Sequence, residues 1–123
     1  MEFDELSNKV IGCALEVHKA LGPGLMESVY EKCLSFELTN SDLRNETQKA
    51  LPVNYKDVRI DCGYRIDILV ENKLIVELKS VDKVLPIHQS QILTYMKLAG
   101  VSTGLLLNFN VAKLKDGIKR FVL

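Results

Sequence analysis

The chain contains 123 residues, 47% of them hydrophobic and 26% charged, and its 16 basic residues balance its 16 acidic ones. Length and composition are ordinary for one soluble globular domain with its own core, which we place at residues 1–123. Zero net charge excludes a broadly basic surface, so any contact with nucleic acid must come from local clusters of charge.

The beginning of the chain and its cysteines indicate a cytoplasmic protein. Residues 1–7 lack the basic and apolar regions of a signal peptide, and no apolar run approaches the length of a membrane span, so we expect no membrane partner. The three cysteines have no Cys-x-x-Cys spacing, which argues against a zinc site or a disulfide framework and fits a reducing compartment.

Two helices are predicted first along the chain. Apolar residues recur at helical spacing from Phe3 to Leu21, and the Gly-Pro-Gly sequence at 22–24 ends this first helix. The second helix is predicted over residues 26–38. With only two histidines in the chain, His18 is expected to be a partly buried, hydrogen-bonded residue rather than a metal ligand.

Glu27 shares one stripe of the second predicted helix with Tyr30 and Leu34. A carboxylate on a core-facing stripe requires a partner, because burying an unpaired charge is costly. The alternative is that Glu27 interacts favourably with the helix dipole from the first turn. The sequence leaves both interpretations open.

Strand-like segments at 46–55 and 58–61 precede a predicted β-hairpin at 65–79. Polar and apolar residues alternate along much of this hairpin, so its two faces differ in character. An odd-length turn that pairs Val70 with Leu74 keeps these faces apart, whereas a two-residue turn would mix them.

In this register Asp67 lies directly across from Glu77, and Arg65 lies across from Lys79, on one face of the hairpin. Ile66, Ile68 and Val70 are expected together on the opposite face. Carboxylates at facing positions repel each other, and a cation between them or a nearby lysine offsets that repulsion. Mg²⁺ suits such a site because it needs only one or two carboxylates and keeps several waters. The alternative is the solvated face of an ordinary amphipathic hairpin.

A third helix is predicted from Pro86 to about Ala99, followed by an apolar strand at 104–109 and a short edge strand at 119–122. The strand at 74–80, this helix and the apolar strand form a β-α-β unit, so we expect parallel strands with a right-handed crossover. The predicted fold class is therefore α/β, with a mixed central β-sheet flanked by helices in the order α-α-β-β-β-α-β-β.

His88, Gln91 and Tyr95 form a polar stripe on the third predicted helix, at spacings of three and four residues. Because this helix follows the strand that carries Glu77 and Lys79, the stripe is placed to overlook them. Glutamine and tyrosine side chains can hold a phosphodiester or orient another side chain. The alternative is an ordinary solvated helix face.

The hairpin residues resemble the signature of the PD-(D/E)XK nuclease superfamily. Asp67, followed by Glu77-Leu78-Lys79, resembles its Asp…(Asp/Glu)-x-Lys motif. Ile66 stands where the name of the superfamily has proline, a position that contributes no ligand.

Two further motifs strengthen this resemblance, because they occur in the expected order and on the expected elements. Gln91-x-x-x-Tyr95 resembles the motif of the RecB-type branch of the superfamily. Gly24-x-x-Glu27-x-x-Tyr30 is similar to the signature of its small GxxExxY protein family. The resemblance covers nearly the whole chain.

The resemblance implies a restriction-endonuclease-like core and metal-dependent hydrolysis of phosphodiester bonds in DNA. Asp67, Glu77 and the backbone carbonyl of Leu78 would ligate Mg²⁺ or Mn²⁺, with Glu27 reaching the metal directly or through water. Lys79 would position the attacking water and help to deprotonate it.

The resemblance also implies that Gln91 and Tyr95, together with His88 and Tyr30, orient this cluster or hold the substrate backbone. The first alternative to a nuclease is a non-catalytic nucleic-acid-binding or protein-interaction module that keeps the fold, which the neutral net charge favours. The second alternative is a structural partner in a larger complex. Whether the chain acts alone, as a homodimer or in such a complex stays open.

Overall fold

The computed structural model describes residues 4–123, so Phe3 of the predicted helical stripe lies outside the described part of the chain. The described elements, in chain order, are α1 (Glu5–Leu21), α2 (Glu27–Asn40), β1 (Asn45–Ala50), β2 (Val53–Tyr55), β3 (Val58–Ile60), β4 (Arg65–Val70), β5 (Leu74–Lys79), α3 (Pro86–Ala99), β6 (Thr103–Asn108), a 3-10 turn (Leu114–Gly117) and β7 (Ile118–Val122). Over these residues, no helix combines the length and the apolar character needed to cross a membrane.

Five strands form a mixed sheet in the order β1-β4-β5-β6-β7, while β2 and β3 pair only with each other. Strands β5 and β6 are parallel and are joined through α3, which confirms the predicted β-α-β unit. The other neighbouring strands are antiparallel. The α/β fold class with a mixed central sheet is therefore confirmed, and β7 occupies an edge as expected.

The sheet separates two hydrophobic cores. Helices α1 and α2 cover one face, and that core includes Val10, Tyr30, Leu34, Ile68, Val76, Leu107 and Phe109. Helix α3 covers the other face, with a core that includes Ile66, Ile75, Ile92, Met96, Leu106 and Phe121. Fully burying such a side chain contributes about 1.5–3 kcal/mol, so these two layers stabilise the sheet that carries the polar residues.

The helix boundaries follow from their terminal residues. The side chain of Asp4 caps α1 by accepting a hydrogen bond from the Ser7 N–H at 2.7 Å. Pro86 occupies the first turn of α3, where its missing N–H costs nothing, and Gly100 ends α3 in a left-handed conformation with φ 68°. The predicted start and stop of α3 are both confirmed.

The predicted continuous strand at 46–55 is wrong, because the chain leaves the main sheet after Ala50. Pro52 has no N–H to donate to a ladder, so it interrupts the strand. The Leu51 N–H instead donates to the Tyr64 carbonyl at 2.9 Å, which closes the base of the β2–β3 hairpin. The result is two short strands in different sheets rather than one long strand.

Candidate active site

The β4–β5 hairpin has the predicted register, since Val70 pairs with Leu74. Its tight turn uses left-handed backbone at Glu71 and Asn72, each with φ 53°. Asparagine tolerates this conformation better than most residues. Paired residues continue from the turn as far as Ile68 and Val76. Asp67 and Glu77 are the next residues along the two strands.

Beyond the ladder, the two acids hold the strands together through their side chains. The Asp67 N–H donates to Glu77 Oε2 at 2.8 Å, and the Leu78 N–H donates to Asp67 Oδ2 at 2.9 Å. Each carboxylate is thus fixed by a backbone N–H of the facing strand. The two acids therefore lie side by side on neighbouring strands.

Burial makes this acid pair difficult to ionise. Only 5% of the Glu77 surface is exposed, and this burial, with a smaller contribution from the Asp67 carboxylate, raises the pKa of Glu77 to about 8. Burial also raises the pKa of Asp67, although the Leu78 N–H works against it. At neutral pH the pair therefore tends to retain a proton unless a cation replaces it.

Lys79 is the basic residue next to Asp67 and Glu77. It is half-buried at the end of β5, two residues after Glu77 and on the same face of the strand. Its positive charge lowers the pKa values of Asp67 and Glu77, but by less than burial raises them. The Lys79 carbonyl accepts a hydrogen bond from the Phe109 N–H at 2.9 Å, which anchors this end of β5 to the chain beyond β6.

A third acid, Glu31 of α2, lies near Asp67 and Glu77, and the three residues form the acid cluster. The sequence reasoning missed Glu31. Burial raises the pKa of Glu31, and the nearby Asp67 carboxylate raises it further. Glu27 is exposed in the first turn of α2, where an acid interacts favourably with the helix dipole. The acid of α2 that lies near Asp67 is Glu31 rather than Glu27. Because Glu31 lies four residues after Glu27 on one helix face, including that position in the stripe would have found it.

Gln48 of β1 is the second residue that the sequence reasoning missed. Its Nε2 donates to Glu31 Oε1 at 2.5 Å and to Asp67 Oδ1 at 3.3 Å. Nothing local in the sequence marks it, because β1 reaches the acids only through its pairing with β4.

Regular alternation fails in β4 next to Asp67. Ile66 packs in the α3 core, whereas Ile68 packs in the α1–α2 core, although the two residues are two positions apart. The expectation that Ile66 and Ile68 share a face is therefore wrong. The facing residue of β1, Gln48, has φ 51°, so the regular pleat of the β1–β4 pair is interrupted at this position.

The polar stripe of α3 contributes Gln91 and Tyr95. Gln91 Nε2 donates to the Tyr95 hydroxyl at 2.9 Å. Burial is the main cause that raises the pKa of Tyr95, and the Glu77 and Asp67 carboxylates raise it further, which places its hydroxyl within electrostatic reach of both acids. The Tyr64 ring lies against the Tyr95 ring, with 5.6 Å between the centroids.

Tyr30 and His88 make hydrogen bonds to the backbone near the start of a helix. The Tyr30 side chain is fully buried, and its hydroxyl donates to the Gly22 carbonyl at 2.6 Å and accepts from the Leu25 N–H at 3.1 Å. A buried hydroxyl with both partners satisfied is not accessible to a substrate, which leaves an orienting role as the prediction for Tyr30. His88 Nδ1 accepts a hydrogen bond from the Leu85 N–H at 3.0 Å and so caps α3.

Comparison with known protein families agrees with this geometry. A family model of the PD-(D/E)XK nuclease superfamily matches residues 4–121. The chain belongs to the PD-(D/E)XK nuclease superfamily. No curated protein and no solved structure gives a significant match. The superfamily membership shows a nuclease-like domain on a restriction-endonuclease-like fold.

The donor set of this PD-(D/E)XK domain suits a hard divalent cation. Within residues 4–123, no group of three or more His, Cys, Asp or Glu side chains is arranged to hold a metal ion. The closest acids, Asp67 and Glu77, supply two carboxylates, and the Leu78 backbone lies next to them through its hydrogen bond to Asp67. Oxygen donors of this number fit Mg²⁺, which binds through one or two carboxylates and otherwise keeps its waters.

Proposed function

We propose that this PD-(D/E)XK protein is a cytoplasmic, metal-dependent deoxyribonuclease of the GxxExxY family that hydrolyses phosphodiester bonds in DNA. The observation that carries the proposal is the pair of reciprocal hydrogen bonds that holds Asp67 and Glu77 side by side, with Lys79 on the same strand as Glu77. Burying such an acid pair is costly unless a cation compensates it, so the arrangement is better explained by binding than by stability.

Asp67, Glu77 and the Leu78 carbonyl are the proposed ligands of Mg²⁺ or Mn²⁺. When bound, the metal supplies positive charge to the phosphate oxygens and lowers the pKa of a water molecule. One oxygen of each carboxylate is already held by a backbone N–H, so these side chains lose little conformational freedom on binding. Glu31, or Glu27 through a water, is the proposed contribution of α2.

Lys79 is the proposed residue that orients the attacking water, and its ammonium group would stabilise the hydroxide that forms when this water loses a proton to solvent. The oxygen of this water bonds to phosphorus, the bond from phosphorus to the leaving sugar oxygen breaks, and that oxygen takes a proton from solvent water. Half-burial beside two acids supports this role, because it would hold the ammonium group close to a phosphate bound at these acids. Positioning and charge then provide most of the rate increase.

Gln91 and Tyr95 are the proposed residues that orient the substrate backbone. Their mutual hydrogen bond fixes both side chains on one face of α3, and the tyrosine is within electrostatic reach of the acids. A tyrosine hydroxyl can donate to a phosphate oxygen, and a glutamine amide that is held by it keeps that hydroxyl oriented. The capping bond of His88 accounts for its position without a substrate.

A cleavage assay tests the proposal. Wild type, Lys79→Ala and the control Lys73→Ala are incubated with single-stranded, duplex and end-blocked DNA, each with Mg²⁺ or Mn²⁺. Lys73 is exposed in the hairpin turn, so it provides a matched loss of charge away from the acids. We expect cleavage by wild type and by Lys73→Ala, and a decrease of about 100-fold or more in Lys79→Ala with an unchanged melting temperature.

The other outcomes separate the alternative functions. DNA binding without cleavage, on every substrate and with either metal, would favour a non-catalytic module that keeps the nuclease fold. Absence of both binding and cleavage would favour a structural partner in a larger complex. Equal cleavage by Lys79→Ala and wild type would contradict the proposed role of this lysine.

A further inference from the structure

Gln48 occupies an unusual position in the edge strand β1. Its neighbours Thr47 and Lys49 pair with Ile68 and Ile66 of β4, so Gln48 faces Asp67. Its own backbone has φ 51°, in the left-handed region, although it lies within a strand and is not glycine. Such a conformation is rare for a residue with a long side chain and is unfavourable, so it persists only where the surrounding structure compensates for it.

The side chain of Gln48 provides that compensation. Its Nε2 donates one hydrogen bond to Glu31 on α2 and a second to Asp67 on β4. An amide nitrogen has two N–H donors, and both are used on carboxylates that repel each other.

From this contact we infer that Gln48 is a positioning residue, which holds Glu31 and Asp67 at a fixed separation and so prepares the acid cluster for its cation. The inference rests on the proposed metal-dependent function and assigns a role to a residue outside the motifs of the family signature. Gln48 acts through the acids, so it is not itself a catalytic residue.

A neutral amide suits this role for a chemical reason. A lysine or arginine at this position would neutralise the acids and compete with a metal, whereas an amide orders them without adding charge. Hydrogen bonds to the outer side of metal-binding carboxylates keep their orientation, and their loss commonly weakens metal binding by about 10–100-fold. The left-handed backbone turns this single side chain toward both acids at the edge of the sheet.

The test measures metal affinity directly, by calorimetric titration of Mn²⁺ and by the Mn²⁺-dependent shift in melting temperature. The variants are Gln48→Gly, Gln48→Ala and the control Thr47→Gly, which removes a side chain from the neighbouring exposed position of β1. Glycine adopts φ 51° without strain, so Gln48→Gly is expected to melt above Gln48→Ala. Both variants at position 48 should bind Mn²⁺ at least about 10-fold more weakly than wild type, while Thr47→Gly should bind it normally.

A double-variant comparison separates positioning from a general effect on the fold. In a Glu31→Ala background, Gln48→Gly should weaken Mn²⁺ binding by less than it does alone, because part of its effect acts through Glu31. Unchanged Mn²⁺ affinity in Gln48→Gly, with normal binding by wild type, would overturn the inference and leave the proposed function intact. Absence of Mn²⁺ binding by wild type would instead reject the proposed metal site, and the inference with it.

Discussion

Glu77 is a buried acid whose ionisation is opposed by its surroundings. Its pKa is raised from 4.5 to about 8, first by burial and then by the Asp67 carboxylate. Between these two pH values the folded protein binds a proton that the unfolded chain has released. The free energy of unfolding of the metal-free protein should therefore fall as pH rises through this window, by on the order of a few kcal/mol.

The variant Glu77→Gln tests this dependence. Urea denaturation between about pH 5 and 8 should show a clear decrease in stability for wild type and a much flatter profile for the variant. Glu71→Gln is the matched control, because the pKa of Glu71 is lowered by hydrogen bonding to Arg44 and its removal leaves the slope in this window unchanged. A steep decrease that persists in Glu77→Gln would contradict the assignment.

Tyr30 is a motif residue whose hydroxyl makes two hydrogen bonds inside the fold. Tyr30→Phe leaves the Gly22 carbonyl and the Leu25 N–H without their partner, so we expect a loss of about 1–3 kcal/mol in the free energy of unfolding. Metal-dependent cleavage per folded molecule should not change, since the hydroxyl is fully buried. Tyr55→Phe, at an exposed position, is the control. Full stability of Tyr30→Phe, combined with lost cleavage, would restore a substrate role.

At the scale of the elements, Gly104 sets the approach of α3 to β6. A Cβ atom at Gly104 would lie 2.7 Å from Met96 Sδ and 3.1 Å from Ile92 Cδ1. Both side chains belong to α3, the helix that carries Gln91 and Tyr95.

Gly104→Ala should therefore destabilise the fold by about 1–3 kcal/mol through overpacking. Gly12→Ala on α1 is the control, because nothing lies within 4 Å of its Cβ position and alanine favours a helix. Thermal denaturation of both variants gives the measurement. A Gly104→Ala protein as stable as wild type would show that α3 can move away from β6 without cost.

The elements also show what could be predicted from the sequence. Alternation and an odd-length turn were enough to predict the β4–β5 register, and Pro86 and Gly100 were enough to bound α3. These signals are local, so they need no knowledge of packing. The break at Pro52 was also visible in the sequence, but the hydrogen bond from Leu51 to Tyr64 that redirects the chain was not.

The candidate site was predictable only where it lies on one hairpin. Asp67, Glu77 and Lys79 are brought together by strand pairing, which the pattern indicates. Glu31 and Gln48 reach Asp67 by packing of α2 and β1 around β4, and contacts between such distant segments leave no periodic signal. The prediction that Ile66 and Ile68 share a face also failed because of a contact between distant segments. The pleat of β4 is interrupted opposite Gln48, which lies on the neighbouring strand β1.

At the scale of the whole molecule, an ion pair joins the start of the first helix to the last strand. Arg120 of β7 lies 3.2 Å from the carboxylate of Asp4, the residue that caps α1. The two cores account for the stability of the sheet, whereas the buried pair Asp67 and Glu77 decreases it. Such a combination of stabilising cores and a destabilising acid pair is expected where a stable scaffold carries a site that is completed by a ligand.

A cation that binds the folded chain but not the unfolded one should stabilise the protein by mass action. We expect millimolar Mg²⁺ to raise the melting temperature of wild type, and Asp67→Asn to remove that gain. Asp42→Asn, at an exposed position after α2, is the control and should keep it. An equal shift in wild type and Asp67→Asn would place the responsible cation elsewhere on the surface.

The most direct measurement of the metal site is anomalous diffraction from crystals soaked in Mn²⁺, for wild type and Asp67→Asn. We expect a peak about 2 Å from carboxylate oxygens of both Asp67 and Glu77 in wild type, and loss of that peak in Asp67→Asn. Wild-type crystals without a peak at this pair, or with one that persists unchanged in Asp67→Asn, would contradict the proposed metal-dependent nuclease site.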